Sequence, residues 1–251
     1  MPGKASVRRS RRGYPVAVLL GLDDTHAVVW IVQSESIRLQ GSISLPTGQD
    51  RSGSGLIYDY YNTIMSSMRP ILESGVGSLV IAGTGSGVSS AEAFVGHVRK
   101  HHSYLLRTVR MASIKGDVMT PNAARAFVKS PAFQKMTAEV VDQESIHLLQ
   151  LLDEYLYDTS GSVSVLFSLE EIDSLLKGIS RHGATAVPSP EWLLLTDSFW
   201  NRRKNDPLFQ RVMSVAKNAG VKTRVLRNDD AAGERVSQIG GVVCLARKRS
   251  R

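Results

Sequence analysis

The sequence predicts an α/β protein of two domains, each a mixed sheet with flanking helices, the second an αβα sandwich. Three observations predict it. From Trp192 to Arg247 the pattern alternates strand, helix, strand, helix, strand, which lays helices over a sheet. SLVIAG (78–83) is a short, wholly apolar run, as in a parallel strand covered on both faces. The chain's 251 residues suffice for one large domain or two modest ones, each able to bury a core. The expected division is a basic tail at 1–13, a first domain at 14–135 and a second at 136–251.

VAVLLGL (16–22) is a strand by composition, and Asp23-Asp24-Thr25 reads as a tight turn into AVVWIVQ (27–33) and SIRLQGSISLP (36–46). The polar, glycine-rich stretch 47–55 follows as an exposed loop. In 56–74, Ile57, Tyr60, Tyr61, Ile64, Met68, Ile71 and Leu72 recur at helical spacing, with Pro70 kinking the helix or marking its last turn. SLVIAG leads through GTGSG into a helix at 91–102, then a strand at 105–113. TPNAARAFVKSPAFQK (120–135) reads as a helical segment broken by Pro131, ahead of a long amphipathic helix at about Ala138–Tyr157. SVSVLF (162–167) is a strand. Ser168 with Glu171 forms a capping box for a helix that Gly183 ends. Pro188-Ser189-Pro190 turns into WLLLTDSFW (192–200). Asp206 caps the next helix, with Pro207 in its first position.

The formal net charge of +8 points towards a polyanionic partner, most simply RNA. Much of the excess sits at the ends, in Lys4, Arg8, Arg9, Arg11 and Arg12 and in Arg247, Lys248, Arg249 and Arg251. The first tail is acid-free and carries Arg and Ser, as organelle transit peptides do, so mitochondrial import is the alternative to a cytoplasmic location. No apolar run approaches the roughly 20 residues of a membrane helix, so no membrane partner is expected. A single cysteine, Cys244, excludes a disulfide framework and reads as a buried thiol.

GTGSG (83–87) lies between strand and helix, but Val88 stands where a dinucleotide fingerprint needs its third glycine, and no Walker lysine follows. The plain reading is a tight turn with Ser89 or Ser90 as helix cap. Ser86 lacks the flanking glycines of a nucleophile elbow. His97 and His101 could share a helical face as metal ligands, but no third ligand is evident, and beside Arg99 and Lys100 they read as a solvated helix end. Asp23-Asp24 and Asp229-Asp230 read as turn residues rather than paired catalytic carboxylates. No catalytic residue, metal or other cofactor is expected.

The final stretch also carries a family resemblance, through Leu195, Thr196, Asp197, Asn218, Ala219, Gly220, Gly233, Glu234, Ser237, Gln238, Gly241 and Val242. In order and spacing these residues resemble the C-terminal domain of the Pelota family, the ribosome-rescue relatives of class I translation release factors. The likeness extends back to about Val16 and does not cover that family's N-terminal domain. It implies a non-catalytic factor of ribosome rescue and mRNA surveillance. The partners implied are the ribosome and its rRNA, a translational GTPase of the elongation-factor type and a ribosome-splitting ATPase.

Release factors carry a hydrolytic Gly-Gly-Gln in the position of loop 47–55; here Thr47 precedes Gly48-Gln49, so the hydrolytic motif is lacking, as in Pelota. Pelota's loop is strongly basic, whereas Arg51 here is balanced by Asp50. Pelota's GTPase-associated Pro-Gly-Phe turn has Thr84, Gly85 and Ser86 in its place. Gln49 and Arg51 in the loop, with Arg202, Arg203 and Lys204 after Trp200, are the candidate ribosome and RNA contacts; a solvated loop is the plainer reading of 202–204. Because the second domain also resembles kink-turn-binding ribosomal proteins, a ribosome-assembly or structural rRNA-binding role is the alternative function.

Overall fold

The computed structural model describes residues 13–45, 54–84, 87–182 and 188–248, arranged around two sheets. The first sheet has strand order β3-β2-β1-β4-β5. β1 (Pro15–Leu22) and β2 (His26–Gln33) pair antiparallel across the Asp23 turn, where Asp23 Oδ1 accepts from the N–H groups of Thr25 (2.7 Å) and His26 (2.6 Å). β3 (Ile37–Ser44) forms the edge. α1 (Ser54–Glu73) then carries the chain across to β4 (Ser78–Gly83), parallel to β1 and buried throughout. α2 (Gly87–His101) leads to β5 (Arg110–Lys115), parallel to β4.

After a short helix, α3 (Pro121–Phe127), and the long α4 (Pro131–Leu156), the second sheet begins, with order β6-β9-β7-β8. β6 (Val163–Leu166), α5 (Leu169–His182), β7 (Ser189–Thr196), α6 (Asp197–Arg203), α7 (Pro207–Asn218), β8 (Lys222–Leu226), α8 (Ala231–Gln238) and β9 (Val242–Arg247) complete the chain. β7 and β8 are parallel; β9 runs antiparallel to both β7 and β6.

Strand alternation sorts each sheet's residues onto two covered faces. In the first sheet Leu20, Leu22 and Val29 pack with Ile64, Met68 and Phe94 of α1 and α2, while Leu19, Trp30 and Val80 pack with Ala124 and Phe133 of α3 and α4. In the second, Leu193, Leu195 and Cys244 face α5, α6 and α7. Leu194, Val243 and Leu245 face α8 and the far half of α4, through Leu148, Leu152 and Tyr155. One helix therefore contributes to a core on each sheet. The change of domain expected at 135–136 falls within its first two turns.

Several local expectations differ. Pro131 does not break a helix: Ser130 caps α4, its hydroxyl accepting from Phe133 N–H at 3.2 Å, and Pro131 takes the first position, where its missing N–H costs nothing. The apolar run from Leu105 is not all strand. Residues Ser103–Arg107 form a 3-10 turn, closed by Thr108 and Val109 N–H groups on Leu105 O, and the strand starts only at Arg110, whose N–H reaches Gly77 O at 2.7 Å. α2 begins at Gly87, so Ser89 and Ser90 lie in its first turn rather than capping it. Ser189 and Pro190, expected as a turn, already belong to β7, with a register shift before Trp192. The capping box is present: Glu171 N–H donates to Ser168 Oγ (3.3 Å) and Ser168 N–H to Glu171 Oε2 (3.3 Å). Its expected glycine stop, Gly183, lies outside the described residues.

Candidate functional site

The motif residues of the final stretch shape one end of the second sheet. Thr196 caps α6, accepting from Phe199 N–H at 3.2 Å, while its own N–H donates to Gly241 O at 3.0 Å. Gly241 has φ +85°, and a Cβ there would stand 3.1 Å from Phe199 and 3.3 Å from the Thr196 hydroxyl, so glycine is required. Gly233 lies against the Arg227 carbonyl with no room for a Cβ. Asp230 caps α8 through Gly233 N–H (2.7 Å), and Asp229 pairs with Arg227 (2.6 Å). Both acids are turn residues, as expected.

The basic cluster lies next to this end, Arg202 and Arg203 on the last turn of α6 and Lys204 at its C-cap, rather than in a loop. Trp200 anchors that helix against Phe209 (5.4 Å between ring centroids) and Tyr14 (5.7 Å). The anchoring turns Arg202 and Arg203 towards solvent. Arg203 pairs with Asp206 at 2.8 Å and Lys204 Nζ donates to Asn201 at 3.3 Å, whereas Arg202 makes no ion pair among the described residues. Of the three cations it is the one left uncommitted.

Thr84 begins the turn after β4, its carbonyl accepting from Gly87 N–H at 2.7 Å. Gly83 abuts the Gly87 carbonyl, and a Cβ on Gly87 would stand 2.5 Å from Leu22 O. Close approach of strand and helix to the end of β1 accounts for both glycines. Gly85, Ser86, Gln49 and Arg51 lie outside the described residues.

Two features went unread in the sequence. The first is a histidine cluster between α1 and α2. His97 is not on a solvated helix end. It is buried, as is His102, and both Nε2 atoms lie near the Asn62 side-chain oxygen, at 3.3 and 3.0 Å. The His101 ring lies tilted against His97, 4.8 Å between centroids, and Tyr58 stands edge-on to both rings at 5.2 and 5.0 Å. Burial, then neighbouring imidazoles, holds the His97 pKa below its ordinary value; burial, then Arg69, does the same for His102. Beside the cluster runs an open groove of about 500 Å³, lined by Ile57, Tyr58, Gly96, Lys100 and His101 among others. No group of acids, histidines and cysteines suited to a metal occurs among the described residues.

The second is a buried ion pair where the two sheets meet. Glu144 of α4 accepts from Arg224 Nη2 at 2.6 Å, from Gly77 N–H at 2.9 Å and from the Ser78 hydroxyl. Arg224 of β8 also donates to the carbonyls of Pro15 (3.1 Å) and Val16 (2.9 Å) at the start of β1. Next to it, Thr223 N–H donates to Ser74 O at 2.7 Å. The sequence signals were a glutamate on a largely apolar helix face and an arginine inside VKTRVL.

No family model matches the chain. Among curated proteins it is similar to a protein pelota homolog of Pyrobaculum calidifontis, with 20% identity over 265 residues, 98% of this chain and 70% of that protein. Among solved structures it is similar to archaeal Pelota in a model of ribosome-bound Pelota and ABCE1. That likeness has a TM-score of 0.53 and 18% identity, over 98% of this chain and 65% of that one. It is also similar to Dom34 of S. cerevisiae, described as a translation termination-like factor interacting with Hbs1, with a TM-score of 0.47 and 15% identity over 94% of this chain and 65% of that one. The chain thus spans just under two thirds of these solved relatives. The resemblance to the Pelota family, read from Thr196, Gly220, Gly233 and Gly241, extends over nearly the whole chain.

Proposed function

We propose that this chain is a Pelota-like translation factor that acts in ribosome rescue and mRNA surveillance, on no-go and non-stop complexes in the cytoplasm. The observation that carries this reading is the extent of the likeness: the fold shared with ribosome-bound archaeal Pelota covers 98% of the chain and so includes both sheets. The net charge of +8 suits an RNA surface.

The factor works by occupancy and breaks no bond itself. It docks on a stalled ribosome, with a translational GTPase of the elongation-factor type and a ribosome-splitting ATPase as partners. Arg202, with Arg203 and Lys204 beside it, contacts rRNA phosphate, as does the loop bearing Gln49 and Arg51. The turn from Thr84 through Gly85 and Ser86 faces the GTPase.

Co-sedimentation with ribosomes stalled on truncated mRNA, followed by identification of co-purified protein and RNA, tests this. Binding to stalled ribosomes with recovery of a translational GTPase supports rescue. Recovery of immature rRNA without the GTPase moves the chain to the ribosome-assembly reading. Release of peptide from peptidyl-tRNA by the clean protein would sink the non-catalytic reading.

A further inference from the structure

The groove between the start of α1 and the end of α2 lies over the first core, which reaches it through Tyr61. Its volume of about 500 Å³ lies within the range of small-ligand sites, roughly 300–1,000 Å³. Its walls include four rings, Tyr58, Tyr61, His97 and His101. Tyr58 is 42% exposed and braced edge-on by His97 and His101, and Ile57 is 43% exposed beside it. Lys100 and His101 line its rim, and no acid is in its lining among the described residues.

The lining includes an exposed glycine that packing does not explain. Gly96 lies inside α2, where glycine destabilises a helix by about 1 kcal/mol relative to alanine. No atom stands within 4 Å of where its Cβ would be. What a side chain would do there is fill the groove.

We propose that this groove binds an unpaired nucleotide of single-stranded RNA, its base stacked on the face of Tyr58 with the His101 ring against its edge, its phosphate at Lys100. Stacking on aromatic faces beside a cation holds single strands with little regard to sequence. Burial keeps the His97 pKa below its ordinary value, so this ring stays uncharged at physiological pH. The inference rests on the RNA-directed reading above and adds to it a specific contact on the first sheet.

Fluorescence anisotropy of the full chain with a labelled nine-nucleotide single-stranded RNA, and with its duplex, tests it. The single strand is expected to bind more tightly than the duplex. Tyr58→Ala and Gly96→Leu should each weaken it about ten-fold, while Tyr58→Phe leaves it unchanged. Lys100→Gln should reduce the slope of log affinity against log salt by about 0.7. Circular dichroism checks that Gly96→Leu, which adds a better helix former into open space, keeps the fold. Equal binding by Gly96→Leu and wild type overturns the proposal, as does preference for duplex. So does loss of a protein partner from Gly96→Leu with RNA affinity intact. Ribosome co-sedimentation run in parallel separates the readings: wild type that binds ribosomes but not the oligonucleotide leaves rescue standing and ends the nucleotide site.

Discussion

Replacing Glu144 by alanine should be among the most damaging single changes in this chain. The carboxylate is 2% exposed and satisfies three donors: the Arg224 guanidinium, the Gly77 N–H and the Ser78 hydroxyl. Its removal leaves a guanidinium, itself only 3% exposed, without a counter-charge. Breaking a buried pair in this way costs about 3–5 kcal/mol. With a urea m-value of about 2–3 kcal/mol/M, the unfolding midpoint should fall by roughly 1–2.5 M. Arg224→Met should cost a similar amount, because Glu144 and the carbonyls of Pro15 and Val16 then lose their donor. The double variant Glu144→Leu/Arg224→Met decides the reasoning. It removes both charges, so its loss should be smaller than the sum of the single losses, by about 1–3 kcal/mol in a double-mutant cycle. Urea titration followed by tryptophan fluorescence reads all three; Trp30 lies in the first core and Trp192 in the second. A shift below about 0.3 M for Glu144→Ala, or strictly additive single losses, would refute the claim that this pair ties the two sheets.

The remaining expectations are narrower. Gly75→Ala places a Cβ 2.7 Å from the Thr223 backbone at φ +111°, and should lose more stability in thermal melts than Gly161→Ala, where φ is +68° but nothing lies within 4 Å; the strain alone is worth roughly 1–3 kcal/mol at each site. His97, His102 and His147 all have folded pKa values lowered below 6.5, mainly by burial, so in the window beneath 6.5 the unfolded chain binds more protons. Stability should therefore be complete above pH 6.5 and be lost as pH falls through the folded values. The double change His97→Gln/His102→Gln should flatten that slope in melts between pH 7.5 and 5. Asp173, its pKa lowered first by the Arg211 hydrogen bonds and then by Lys177, acts in a separate window below its ordinary 3.8. Burial pushes the Cys244 thiol up to about 12, so a thiol reagent at neutral pH should label it only on unfolding; rapid labelling of the native chain would contradict its place in the core.

Element identity was legible wherever one local rule governed. Alternation and apolar runs gave the strands of both sheets, and side-chain caps at Ser168 and Asp206 gave helix starts. The errors arose where two rules competed. The Leu105 run had strand composition, but the chain closes a turn on Leu105 O before β5 can pair with Gly77. Pro131 was read by its power to break a helix instead of its fitness to begin one. The histidines were misjudged because periodicity on α2 alone cannot report a second helix lying across them; Asn62, forty residues before His102, supplies the partner. The same holds for Glu144 and Arg224, eighty residues apart, whose pairing depends on how two sheets meet. The functional candidates were visible as residue types, but where they project depends on neighbours such as Trp200 and Phe209, which hold Arg202 outward.

The span from Pro131 to Leu156 bears on how such a chain can be recombined. A splice placed before it strips the cover from Leu19, Trp30 and Val80; a splice placed after it bares Leu194, Val243 and Leu245. Whichever piece is transplanted, a greasy stripe is left looking for a mate. Swaps between relatives should succeed only when the helix travels together with both of its clients, so drift in either half is answerable to the other.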